Sequence, residues 1–137
     1  MKKLSLILFT ALFFNQIGGQ NLVGLKKDDA MKAIKTNYPG FVQDNSSVNH
    51  TYKYLKYIDK FNDQTLLVFL TDDDVCSSTK LMSDYSNLPA VRKDLNSKYK
   101  SKGKDTWLFT ANGEDFVITL KKEEWYFTVF TSKKIKK

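Results

Sequence analysis

The chain holds one cysteine, one histidine, two prolines and six glycines in 137 residues. A single Cys excludes a disulfide framework within one chain and any thiolate zinc cluster, and a single His excludes multi-histidine metal sites. Arg92 is the only arginine, so bidentate reading of phosphates or base edges has almost nothing to work with. No Gly-rich phosphate loop and no Gly-x-Ser-x-Gly nucleophile elbow occur. After Phe14 no apolar run approaches the roughly 20 residues that a bilayer span requires. These absences leave a narrow field: no cofactor, no metal and no sequence-specific nucleic acid is expected.

What is present describes an ordinary folded domain. Hydrophobic residues make up 42% and charged residues 27%, which excludes wholesale disorder, and the length suits one domain. Lys2 and Lys3 precede an apolar run from Leu4 to Phe14, and Gly18 and Gly19 follow it. That order predicts a signal peptide over residues 1–19, cut before Gln20, with Ile17 a large residue at the minus-three position. No cysteine follows the apolar run, so lipid anchoring is not expected. The mature chain is then an exported protein, periplasmic or secreted, with no transmembrane segment. Its organisation reads as one domain over residues 20–132 and a basic tail over 133–137.

Removing Lys2 and Lys3 leaves 20 basic against 15 acidic residues. The excess is local. Arg92, Lys93, Lys98, Lys100, Lys102 and Lys104 surround one acid, and the tail adds four lysines. Nearly all these cations are lysine, which suits diffuse attraction to an anionic surface rather than base reading.

Periodicity supplies the elements. Ala30, Ile34 and Tyr38 recur at four-residue spacing and predict a helix over 28–38, ended by Pro39-Gly40. Residues 41–49 read as loop. Strands are expected over 51–58, 66–70 and 75–85, with turns at Asn62-Asp63 and Asp72-Asp73-Asp74. Leu66 to Leu70 has no polar side, which predicts a central strand covered on both faces. Leu88, Val91, Leu95 and Tyr99 predict a second helix over 89–99, with Pro89 in its first turn and Asn87 as the best cap. A polar loop follows at 101–104.

The last third carries the strongest local signal. Asn112-Gly113 between Thr106–Ala111 and Glu114–Lys121 predicts a two-residue hairpin, opposing Phe109 to Phe116 and Trp107 to Ile118. A turn over 121–124 would then oppose Leu120 to Trp125 and Ile118 to Phe127, placing both tryptophans on a buried face. Leu108, Val117, Thr119, Lys121, Tyr126, Thr128 and Phe130 take the other face. The resulting fold class is α+β, ordered helix, three strands, helix, three strands. An antiparallel sheet of about six strands carries both helices on one face.

Gly24 followed by Leu25-Lys26-Lys27-Asp28-Asp29-Ala30 resembles the helix opening of small exported proteins of the beta-lactamase-inhibitor and outer-membrane-assembly lipoprotein type. The helix-plus-meander plan, used twice, is also that of the beta-lactamase inhibitor protein. The likeness covers the plan of residues 22–132 and a handful of identities. Lys26 stands where such openings carry a Ser or Thr cap. Val75-Cys76, Leu95-Asn96-Ser97-Lys98-Tyr99, Thr106-Trp107 and Trp125-Tyr126-Phe127 are similar to short uncharacterised exported proteins of Bacteroidetes-like bacteria. That resemblance implies a shared fold and compartment, and it brings no functional residue.

Three functional readings follow from the residues. The leading one is a non-catalytic domain that binds a protein or other envelope macromolecule through an open sheet face. Tyr52 and Tyr54 of the Tyr-Lys-Tyr-Leu-Lys-Tyr run, with Tyr126 and Phe130, are its candidate anchors. The second is electrostatic binding of an anionic polymer or envelope surface by the lysine patch. The third is a small hydrolase pairing Cys76 with His50. Asp72-Asp73-Asp74 lacks the alternating spacing of a calcium loop, and Glu123-Glu124 are adjacent residues that point apart in a solvated turn, where nothing holds either carboxyl protonated as a glycosidase acid must be.

Overall fold

In the computed structural model, which describes residues 22–45 and 52–135, the segment before the first helix is stapled to a later strand. Gly24 N–H donates to the Cys76 carbonyl and Cys76 N–H to the Leu25 carbonyl, at 2.8 and 2.7 Å. Gly24 permits this at a φ of 96°, a conformation that costs a residue without Cβ little. The expected signal peptide, His50 and the last two lysines lie outside the described residues.

Helix α1 (Lys27–Asn37) carries Asp28 and Asp29 in its first turn, where the helix dipole favours them. Lys26 occupies the cap position and supplies no side-chain bond. Instead the Lys27 N–H donates to the Asp74 carbonyl at 2.8 Å, so tertiary structure satisfies an orphan donor that no capping side chain meets. Ala30 and Ile34 are buried, as the spacing predicts.

Strands β1 (Val42–Gln43), β2 (Tyr54–Asp59), β3 (Gln64–Leu70) and β4 (Cys76–Ser83) follow as an antiparallel meander. A short 3-10 turn leads into α2 (Leu88–Lys98). A second meander then comprises β5 (Lys100–Ser101), β6 (Thr106–Ala111), β7 (Glu114–Lys122) and β8 (Phe127–Lys133). The sheet order is β1-β2-β3-β4-β8-β7-β6-β5. Two helix-plus-four-strand units thus meet through antiparallel pairing of β4 with β8, and the strand order is palindromic about that seam. Tyr38 and Tyr99 end the two helices alike, each donating its N–H to the residue four back, Ile34 and Leu95.

Among the described residues the fold is therefore α+β, two helices and an open antiparallel sheet, with eight strands rather than six. The two additional strands are residue pairs at the sheet edges, in stretches whose polarity reads as loop. Asn87 precedes α2 without capping it: its Nδ2 donates to the Asn62 carbonyl and Ser83 Oγ, while Asp84 caps the 3-10 turn by accepting from the Ser86 N–H.

The buried side chains of the long strands fall on one face except for Thr128, and a register shift at Leu70 brings Cys76 onto that buried face as well. Leu55, Tyr57, Leu66, Val68, Leu81, Trp107, Phe116, Ile118, Leu120, Phe127 and Val129 form a single core with Ile34, Val91 and Leu95 of the helices. Trp107 is anchored twice, by burial and by its Nε1 donating to Asn96 Oδ1 of α2 at 2.9 Å. Burying large side chains of this kind contributes about 1.5–3 kcal/mol each.

The Asn112-Gly113 hairpin has the expected register, with both turn residues at positive φ and the Phe109 and Phe116 rings stacked at 4.8 Å. The next hairpin differs from expectation. Leu120 opposes Val129 and Ile118 opposes Thr131, a shift of four residues from the predicted pairing. An even shift preserves the faces, so Phe127 and Val129 remain buried. Trp125, however, leaves the sheet for the β7–β8 turn and is 79% exposed. The cause is a longer β7 that runs to Lys122, paired with Phe127, and a turn closed by the Glu123 N–H donating to the Tyr126 carbonyl.

A second correction concerns β3. Its run Leu66 to Leu70 lies inside the sheet, yet helices cover only one side of it. Leu67 and Phe69 face away from the helices and are half-buried. An apolar run here marks an apolar outer face.

Candidate functional site

The face opposite the helices is built by the remaining parity of every long strand. Register aligns it into three rows across the sheet. The first runs Tyr54, Phe69, Ser78, Ser132, Val117 and Leu108, ending at Lys100 on the edge. The middle row is Lys56, Leu67, Lys80, Phe130, Thr119 and Thr106. The third is Val42, Ile58, Thr65, Met82, Thr128 and Lys121. None of these side chains belongs to the hydrophobic core, and Thr128 alone among them is buried.

Tyr54 and Phe130, both expected anchors, stand on this face. Tyr54 packs across the strand pair against Phe69, ring centroids 6.3 Å apart. Phe130 is 39% exposed at the middle of the sheet. Three strand spacings, about 14 Å, separate their strands. Tyr52 precedes β2 and is exposed; Tyr126 lies in the β7–β8 turn, half-buried, at the opposite end of the sheet. These four aromatics therefore do not form one cluster. Leu67, Phe69, Lys80 and Met82 fill the space between them. Sequence reading missed all four, because β3 read as covered on both faces and no face was assigned along the strand expected over 75–85. The alternation of buried Thr79, Leu81 and Ser83 with Lys80 and Met82 is the signal that identifies an outer face.

The expected lysine patch is divided by the fold. Arg92 pairs with Asp105, and Lys98 pairs with Asp94 at 3.2 Å. Burial raises the Asp94 carboxyl, and Lys98 opposes that shift. Burial, then the Asp94 charge, pushes the neighbouring Tyr99 phenol up to about 12. Lys93, Lys102 and Lys104 remain exposed, whereas Lys100 lies at the edge of the open face. Lys133, first residue of the expected tail, is the last residue of β8 and pairs with Glu114 at 2.8 Å.

Cys76 is a free thiol, 1% exposed, at the start of β4. Burial pushes it up to about 12, so thiolate is scarce at neutral pH. In the aspartate turn, Asp74 bonds Lys53, which holds its carboxyl below the usual range. No group of three or more His, Cys, Asp or Glu side chains gathers into a metal site among the described residues.

At the sheet end shared by the β2–β3 and β7–β8 turns, Phe61 and Trp125 are exposed. Beside Phe61, buried Asp59 accepts from the Phe61 and Asn62 N–H groups and from Asn62 Nδ2. This organises the turn and the shallow groove between β1 and Lys60. Comparison of the chain with protein-family models, with curated proteins and with solved structures finds no match.

Proposed function

We propose that this chain is a non-catalytic binding module, exported to the periplasm or the medium, that engages a protein through the open face of its sheet. One observation carries the reading. Tyr54, Ile58, Leu67, Phe69, Met82, Leu108, Val117 and Phe130 stand on one face that no helix covers, with Ser78, Lys80, Thr119 and Ser132 among them. Such patches on a single chain mark interaction sites.

Size narrows the partner. Six long strands span about 24 Å and five or six residues along each span about 20 Å, giving roughly 500 Å². A standard interface buries about 800 Å² per partner. The face alone therefore suits an extended or helical segment of a partner better than a whole domain.

The test is capture from envelope and medium fractions at low and high salt, comparing wild type with the Phe130→Ala, Leu67→Ala double variant. A partner kept at high salt by wild type and weakened about tenfold or more by the variant supports the reading. A partner that both proteins hold only at low salt refutes it in favour of Lys93, Lys102 and Lys104.

A further inference from the structure

We infer that the segment seated on the open face carries a carboxylate, flanked by apolar side chains, that pairs with Lys80. This rests on the binding reading above and names the partner's chemistry.

Lys80 stands mid-sheet on β4, between Leu67 and Phe130 in the same row. Its other neighbours on this face are Thr65, Phe69, Thr128, Ser132, Ser78 and Met82. None of them is charged. Lys80 is half-buried and makes no ion pair among the described residues, whereas Lys56 pairs with Asp44 and Lys121 with Glu123. Strand positions of the face carry Lys56, Lys80, Lys100 and Lys121 against one acid, Asp115, whose Oδ1 already accepts from Thr110 Oγ1 at 2.7 Å. The surface around Lys80 is uncharged, half apolar and half hydroxyl, with a cationic centre.

Covering that centre forces a choice. An ammonium removed from water without a counter-charge is strongly penalised. A lysine escapes by extending its stem to the rim, but Lys80 is two strand spacings, about 10 Å, from β2 on one side and farther from β6 on the other. A segment lying over Leu67 and Phe130 therefore leaves Lys80 buried unless it supplies the anion. Leu67, Phe69, Met82 and Phe130 around the ammonium require apolar groups on both sides of that carboxylate. Acid within apolar sequence is the complement of this surface.

The probe is a displayed library of random peptides about 12 residues long, extended about 40 Å and so longer than the face. It is panned on the purified protein, and binders lost on Phe130→Asp are taken as face binders. These are expected to carry an Asp or Glu between apolar residues. In a resynthesised face binder, replacing the acid by its amide should weaken binding to wild type about tenfold, and to Lys80→Met less than about twofold. Lys80→Gln repeats the cycle where Lys80→Met folds poorly. Face binders without acidic residues, or an equal amide penalty on Lys80→Met and wild type, would overturn the pairing and leave the face reading intact. Binders that are all indifferent to Phe130→Asp would overturn the face reading itself.

Discussion

Thr79 and Thr131 oppose each other across the seam between the two halves of the sheet, on the side the helices cover. Both are fully buried, and neither hydroxyl has a protein hydrogen-bond partner among the described residues. An unpaired buried hydroxyl costs about 1–3 kcal/mol relative to an apolar group of the same shape. Valine has that shape and keeps the β-branched stem that strands favour. Thr79→Val and Thr131→Val are each expected to stabilise the protein by about 1 kcal/mol. In a domain of this size that is a rise of about 3–6 °C in Tm. Because the two side chains are neighbours, the double variant should depart from the sum of the singles. Urea unfolding measures this directly, with the midpoint rising and the slope unchanged. Thr79→Ser separates the two halves of the side chain: it keeps the hydroxyl, removes the methyl, and should destabilise by about 1 kcal/mol. A loss of 1 kcal/mol or more in either valine variant, at unchanged slope, would refute the reasoning, because the hydroxyls would then be bonded in solution.

Two further outcomes follow from the fold. Gly40→Ala would place a Cβ 2.7 Å from Asp59 Oδ2, the carboxylate that organises the β2–β3 turn. It should cost about 1–3 kcal/mol in chemical denaturation, and a cost below about 0.5 kcal/mol would mean the turn moves freely. Cys76 should resist alkylation at pH 8 in the native protein and react promptly in denaturant. Its folded value near 12 lies above its ordinary 9.0, so its contribution to stability is complete below about pH 9 and lost as pH climbs towards 12. Cys76→Ala should lack that part of the alkaline loss, and identical alkaline profiles for the two proteins would contradict the burial.

Much of the fold was legible because its causes act over a few residues. Asn112-Gly113 sets a hairpin through the positive φ both positions adopt, and four-residue apolar spacing identifies the buried faces of both helices. Period-two alternation assigned Trp107, Phe116 and Ile118 to the core and Phe130 to the outer face. Trp125 was misplaced because a turn's length depends on how far β7 continues to pair, which its own residues do not state. Likewise β1 and β5 exist only because a neighbouring strand offers its edge to two residues of otherwise polar chain. The candidate site was legible in fragments, as Tyr54 and Phe130, without the surface that joins them.

The sequence by itself determined the class of both helices and of the six long strands, the faces that β6, β7 and β8 bury, and the absence of a multi-cysteine or multi-histidine centre. These follow from composition and from steric preferences within a turn or two. Tertiary structure alone decided that β4 and β8 form the seam, that β3 presents Leu67 and Phe69 outward, and that Lys80 is ringed by uncharged neighbours. Besides Ser78 and Met82 of its own strand, those neighbours come from β3 and β8, and β8 lies about fifty residues away along the chain. Only strand pairing brings them together, and pairing is settled by the burial of the whole opposite face at once.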